Sequence, residues 1–300
     1  MDEQTHPDLA HDAAKAAAEA ADRADVEIRD VHELDELERM SSLFDEVWGR
    51  DDSAATIMAP ELLRAMSHAG NQVSGAFRDG EMVAATAALL GLHDDQVHLH
   101  SHVTGVVADA QGVGIGWAMK QHQRAWCLER GITTVRWTFD PLIRRNAVFN
   151  LTKLGARIVD FVHDLYGRMP DARNVGLPTD RAVASWELTE RRVQLASSGR
   201  FAEPRLDALK SSGAEPVLEA GPDGEPQLQP VDDAARLVLA QVPDDIESLR
   251  AQDQALGERW AQAFREEVGE RIRSDYRVTG ITRDGWYVLG RDETVAELSS

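Results

Sequence analysis

The sequence predicts an α/β fold, of the α+β kind, built around a mixed sheet. Three observations predict it. A strand, a glycine-rich turn and a helix follow one another without a break in Thr104–Trp126, TGVVADAQGVGIGWAMKQHQRAW. Strand-length apolar runs alternate with helical spacings from residue 26 to about residue 190. The hairpin signals Asp79-Gly80 and Arg283-Asp284-Gly285 join neighbouring strands directly, so part of the sheet is antiparallel.

Taken in order, residues 1–25 are polar and Ala-rich (HDAAKAAAEAADRAD) and carry no apolar stripe, which reads as a flexible tail or a frayed helix. Val26–Arg29 is a short strand. Leu34, Leu37, Phe44, Val47 and Trp48 recur at helical spacing up to Gly49, and Pro60 suits the first turn of a second helix, Glu61–His68. Gln72–Phe77 and Met82–Leu90 are strands on either side of the Asp79-Gly80 turn. Val97–Val107 leads into the glycines. The helix that follows puts Ile115, Met119, His122 and Trp126 on one face, with Gly131 at its C-cap. Thr133–Phe139 is a strand stopped by Asp140-Pro141, and Arg145–Leu154 is a short helix stopped by Gly155. Ala156–Tyr166 and Ala182–Leu188 are extended.

Residues 191–231 read as a linker and connecting segment, since GAEPVLEAGPDGEPQLQP is rich in Gly, Pro and acid. Residues 232–300 form a C-terminal α/β extension. It has a strand at Ala235–Val242 and a long helix with Leu256, Trp260, Phe264, Val268 and Ile272 spaced by four. Strands Tyr276–Ile281 and Trp286–Leu289 close it. A helix followed by a hairpin echoes Arg145–Leu188, so a degenerate second half of the same fold is expected. An extension that covers the sheet or makes a dimer is the alternative.

At 300 residues the chain exceeds one typical domain, and 43% hydrophobic with 28% charged residues is an ordinary globular composition. The net charge of −20 argues against nucleic acid or an anionic membrane as partner, because both need a basic surface. The single cysteine, Cys127, excludes an intrachain disulfide framework. Without a basic leader or a long apolar run, the expectation is a cytoplasmic protein, monomeric or homodimeric.

Gly112, Gly114 and Gly116 alternate between strand and helix. Lacking Cβ atoms, they let successive backbone N–H groups approach one anion, and the helix adds its unpaired N–H donors and positive dipole end. The spacing G-x-G-x-G is neither the dinucleotide fingerprint nor a P-loop. Upstream, His98, His100 and His102 alternate on a strand and so share a face. Three readings stay open: a metal ligand set, a general base of near-neutral pKa, and packing within the sheet. For the base, His100 and His102 are the candidates.

Gln111-x-x-Gly114-x-Gly116 resembles the acyl-CoA-binding signature of the GNAT (Gcn5-related N-acetyltransferase) superfamily. Arg144–Gly155, RRNAVFNLTKLG, resembles that family's late helix, with Ala147, Lys153 and Gly155 in register. The run LHSHVTGV, QGVGIG, WTFDP and RNAVFN-TKLGA is similar to a bacterial branch of predicted acyltransferases in the family. The element order β-α-α-β-β-β-α-β-α-β-β over residues 26–190 is the family's. The resemblance implies a central sheet split by a CoA-binding cleft, with residues 26–190 as the catalytic domain. It implies acetyl-CoA or another acyl-CoA as cosubstrate, bound by Val106, Val107, Gln111, Gly112, Val113, Gly114, Ile115, Gly116 and Trp117. Asn146, Phe149 and Lys153 join them from the late helix.

The implied reaction moves an acyl group, acetyl or succinyl, to a small-molecule amine such as an amino acid, by direct attack in a ternary complex. Main chain near Gly105–Val107 would polarise the thioester carbonyl. Leu151 stands where many members carry the tyrosine that protonates the departing thiolate; Asn150, Tyr166 or a water takes that role here. A thiolate with a pKa of about 8.5 also leaves tolerably without an acid. Two other classes remain as expectations: a non-catalytic CoA-binding regulatory protein, and a metal-dependent enzyme using His98, His100 and His102. The acceptor pocket is expected from early helices and late loops, around residues 44–66 and 160–173.

Overall fold

The computed structural model describes residues 6–49, 56–167, 178–200, 203–232 and 235–291. They fall into two compact units. Unit 1 holds the described residues up to Trp137 together with Glu187–Glu190, and unit 2 those from Thr138 to Trp186 and from Arg191 onward.

In unit 1 the chain forms α1 (His6–Ala24), β1 (Glu27–Asp30), α2 (Leu34–Trp48), α3 (Pro60–His68), β2 (Gln72–Arg78), β3 (Glu81–His93), β4 (Gln96–Val106), α4 (Ile115–Glu129) and the start of β5 (Thr134–Phe139). The strands lie in the order β1-β2-β3-β4-β5. Pairing is antiparallel up to β4 and parallel between β4 and β5. Asp79 and Gly80 both take positive φ, 52° and 82°, as the hairpin signal requires. Leu37, Met40, Phe44 and Leu63 of α2 and α3 pack on one face of the sheet against Ala85, Ala87 and Val103. Ile115, Ala118 and Met119 of α4 pack on the other, against Ala76 and Ala84.

The N-terminal segment departs from the expected flexible tail. His6–Ala24 is a 19-residue helix lying against α4. Ala13, Ala17, Ala20 and Ala24 are buried at helical spacing. Alanine is the strongest helix former and has no side chain to hold two backbones apart, so the stripe packs closely while adding little to any apolar pattern. Arg78 Nη2 donates to the carbonyl of Ala24 at 2.7 Å and satisfies the helix C-terminus.

Unit 2 contains α5 (Arg144–Val148) running into a π-turn at Phe149–Lys153, then β6 (Arg157–Val162), β7 (Arg181–Glu187), α6 (Arg191–Ser197) and α7 (Leu206–Ser211). β8 (Glu215–Ala220), β9 (Pro226–Leu228), β10 (Leu237–Gln241), α8 (Ile246–Gln252) and α9 (Gln254–Phe264) follow. A second π-turn (Arg265–Gly269), α10 (Glu270–Arg273), β11 (Tyr276–Ile281) and β12 (Trp286–Arg291) complete it. Its strands lie in the order β7-β6-β11-β12-β10-β8-β9.

Two expectations are corrected here. The supposed linker over residues 191–231 is structured: Val217 and Leu218 of β8 are 1% and 0% exposed, with β10 parallel on one side and β9 antiparallel on the other. Gly221, Pro222 and Gly224 make the β8–β9 turn rather than a tether. The long C-terminal helix is broken at Asp253, whose carboxylate caps α9 by accepting from Leu256 N at 2.9 Å.

The helix–hairpin echo is present. A helix with a π-turn precedes the antiparallel pair β6–β7, and another precedes β11–β12. β6 and β11 meet antiparallel at Ile158 and Val278. β8 leads straight into a turn in which Gly221 N donates to Glu225 O and Trp260 Nε1 donates to Gly224 O. Unlike the end of β4, this turn has no helix after it and spends its polar groups internally.

Candidate functional site

The centre of unit 1 is a fork. β4 pairs with β5 only at Leu99–Val135 and His100–Arg136. From Ser101 to Val106, β4 keeps β3 on one edge and has no β5 partner on the other among the described residues. A β-bulge lies at the branch point, because Ala88 opposes Ser101 while Ala87 opposes Val103, leaving His102 as the extra residue.

The bulge inverts the faces. Before it, Ser101 points to α4 and accepts from Lys120 Nζ at 2.9 Å. After it, Val103 packs with α2 and α3. Thr104 turns to the side of Thr86, with the two hydroxyls 2.7 Å apart. Alternation puts His98 and His100 on one face, and His102 is the bulged residue at which the pattern reverses. The His102 ring still lies 6.1 Å from that of His100. No group of three or more His, Cys, Asp or Glu residues suited to a metal ion occurs among the described residues.

Burial lowers the pKa of His98, His100 and His102 below the ordinary histidine value. At His100, after burial, the charges of His102, His98 and Lys120 add to the effect. Neutral imidazoles are the form able to accept a proton. Lys120 lies on the opposite face. Its ammonium group is fully enclosed, 4.4 Å from the Trp137 ring centroid, and burial pulls its pKa to about 7. It also donates to Gln123 Oε1 at 2.8 Å, and Gln123 donates in turn to Gln72. This network holds α4 to β2 and β4 just beneath the fork. Nothing in the sequence pattern singled out Lys120, because α4 was read as having one buried face.

Beyond Val106 the chain turns through Ala108–Ala110, and Gln111 Nε2 pins the turn by donating to Val106 O at 3.0 Å. Gly112 and Gly114 hold φ of +84° and +95°, the left-handed region that disfavours a side chain. A Cβ built on Gly112, Gly114 or Gly116 would meet nothing within 4 Å, so the glycines face open space. α4 starts at Ile115 with no side-chain cap, and its first helical bond runs from Ala118 N to Gly114 O. The N–H groups of Ile115, Gly116 and Trp117 therefore have no carbonyl within the helix to bond. Gln111, Gly112, Val113 and Gly114 are exposed, Ile115 is buried, and Val106, Val107, Gly116 and Trp117 are half-buried.

The remaining site candidates lie in unit 2. Phe149 and Lys153 line a cavity of about 520 Å³ with Arg144, Arg145 and Arg283, and with Asp244, Asp245 and Glu247 opposite. Arg144 pairs with Asp244 at 2.6 Å and Arg145 with Glu247. Asn146 is half-buried on α5. Asn150 is 6% exposed in the π-turn and Leu151 is 1% exposed. Tyr166 is 43% exposed, and its hydroxyl lies 3.0 Å from Thr138 Oγ1. Cys127 is buried and its thiol is pushed up to about 12 by burial, so it offers no thiolate nucleophile. Of the segments expected around an acceptor, residues 50–55 and 168–173 lie outside the described residues.

No protein-family model matches the sequence, and no curated protein matches it significantly. Solved structures similar in shape are GNAT-family acetyltransferases and their kin. One is an acetyltransferase of the GNAT family from Streptococcus pneumoniae, at 12% identity, covering 53% of this chain and 98% of the other, with a TM-score of 0.42. Another is an N-acetyltransferase from Staphylococcus aureus, at 13% identity, covering 55% and 99%, with a TM-score of 0.42. A third is an Arabidopsis thaliana protein in complex with a CoA bisubstrate analogue, at 20% identity, covering 54% and 97%, with a TM-score of 0.40. At these identities and scores the likeness does not assign an activity. No helix among the described residues is long and apolar enough to cross a membrane.

Proposed function

We propose that the chain is a CoA-dependent N-acyltransferase that moves an acetyl or succinyl group from acyl-CoA to a small-molecule amine. The observation that carries this reading is the open turn at Gly112–Gly116, next to the unpaired edge of β4. Three bare glycines and the first N–H groups of α4 present donors to a diphosphate. The edge of Ser101–Val106 away from β3, which has no strand partner among the described residues, offers backbone groups to the amide-bearing arm of CoA. Sequence resemblance at Gln111, Gly114 and Gly116 supports the same assignment.

In the proposed step the amine nitrogen forms a bond to the thioester carbon, the C–S bond breaks, and the electron pair leaves as the CoA thiolate. The amine's proton passes to His100 or His102, directly or through water. Attack is direct, since Cys127 is neither exposed nor ionised. The enzyme is assigned to the cytoplasm and works as a monomer or homodimer in this reading. A CoA-binding protein without turnover is the second reading, and the burial of Leu151, where the resemblance would place an acid, favours it.

Isothermal calorimetry with CoA tests the cradle. One site per chain is expected, and Gly114→Val, forced into a left-handed φ in the path of the ligand, should weaken it by more than about tenfold. No heat with the wild-type protein refutes the proposal. Detection of free thiol from acetyl-CoA and succinyl-CoA over an amine panel separates an enzyme from a silent binder.

A further inference from the structure

Two buried nitrogen atoms on the histidine face of the fork have no hydrogen-bond partner among the described residues. Arg136 stands on β5 opposite His100. Its neighbour Trp137 lies beneath Lys120 on the α4 side, so strand alternation sends the Arg136 side chain to the histidine side. The Arg136 Nε atom is shut off from solvent without a hydrogen-bond partner, and so is His98 Nδ1. The His98 ring lies across Gly91, where an added Cβ would come within 2.7 Å of it. That backbone gap fixes the imidazole in place. Arg136 acts on the same ring, contributing after burial to its lowered pKa.

The chain carries 52 acidic residues against 32 basic ones, so carboxylate partners for its arginines are plentiful. Arg29, Arg250, Arg259, Arg265 and Arg271 all reach a carboxylate at 2.9 Å or less. Among the described residues Arg136 reaches none. A half-buried cation with no counter-ion gains from an anion that a ligand brings to it. The CoA diphosphate is not that anion. The proposed cradle begins twelve residues after His100 on the chain, and the intervening strand residues to Val106 alone advance about 20 Å.

We infer that Arg136, with His98 beside it, recognises a carboxylate on the acceptor, so that the amine acylated here belongs to an amino acid or a closely related amino carboxylate. The inference rests on the acyltransferase reading and names the substrate class of the same site. A guanidinium suits the task because its planar fork meets a carboxylate with two parallel hydrogen bonds. Arg136 is a specificity residue in this scheme, and proton transfer stays with His100 and His102.

The test uses the full-length protein, acetyl-CoA as donor, a panel of L-amino acids and the matching amino-acid amides, with free thiol as readout. The best amino acid is expected to exceed its amide by more than about tenfold in kcat/KM, mainly through KM. Arg136→Gln should bring the acid down towards its amide while CoA affinity by calorimetry stays within about twofold of wild type. Arg136→Lys, which keeps the charge and loses the fork, should fall between them. The wild-type comparison of acid with amide needs no variant to fold. Equal use of acid and amide overturns the inference, as does an unchanged preference in Arg136→Gln. An effect of Arg136 on succinyl-CoA relative to acetyl-CoA, with no effect on the acceptor, would place the carboxylate on the donor and overturn it too. Failure of every amino carboxylate in a protein that binds CoA removes this inference alone. Absence of CoA binding removes the underlying reading.

Discussion

Three imidazoles on β4 sit where burial disfavours their charged form, and that environment has a kinetic consequence. A base already neutral at pH 7 needs no prior deprotonation. Corrected for the fraction of free amine, the acidic limb of kcat/KM should therefore fall below the ordinary histidine value of about 6.5. The double variant His100→Ala, His102→Ala should lose more than about tenfold in turnover and keep its affinity for CoA. Unaltered turnover in that variant would remove both residues as the base. The same shift acts on stability. A histidine whose folded pKa is depressed favours the fold above its unfolded value, and that contribution is lost as pH falls through the folded value. These histidines were visible in the sequence as an alternating triplet. Arg136 was visible there only as one residue of the Thr133–Phe139 strand, because the absence of a partner is a property of neighbours rather than of spacing.

Elements were misjudged where burial came from two sides or from very small side chains. α4 has Lys120, Gln121, Gln123 and Arg124 buried as well as Ile115 and Met119, because Lys120 and Gln123 bond to Ser101 and Gln72 of the sheet while α1 packs along the helix as well. A helix buried nearly all round shows a weak periodic signal. α1 was read as a tail or a frayed helix for the converse reason, since its buried stripe is alanine. Removing residues 1–25 should uncover the side of α4 against which α1 packs and lower the thermal midpoint by about 5 °C or more. An unchanged melting curve for the shortened protein would return this segment to the status of a tail. The bulge at His102 is the third such case: strand periodicity gave the alternation correctly up to Ser101 and could not reveal the one inserted residue that reverses it.

Taken whole, the chain does not divide where composition suggested. Unit 2 gathers β6 and β7 with the C-terminal strands, and β6 has β7 on one edge and β11 on the other. Phe161 of β6 packs 6.1 Å from Phe264, whose ring is 5.4 Å from Tyr287. Gly269 leaves room for Phe161, since a Cβ there would come within 2.8 Å of the ring. A fragment ending at residue 200 would strip these contacts and open the edge of β6. It should aggregate on expression, whereas the full chain should stay soluble. A soluble, cooperatively melting fragment would show instead that residues 26–190 stand alone as a domain.

By itself the sequence determined the order of elements through most of the first 190 residues, the glycine turn at 112–116, and the helix–hairpin echo near the C-terminus. Each of these is written in local spacing, and local spacing survives without knowledge of neighbours. Only the tertiary structure decided where β4 and β5 part, just past His100 and Arg136, the burial of α1 and β8, and the lack of a partner for Arg136 Nε on the histidine face. Those depend on which strand edges and side chains are left without partners once the chain is packed, and an unmet hydrogen bond has no signature in a linear pattern.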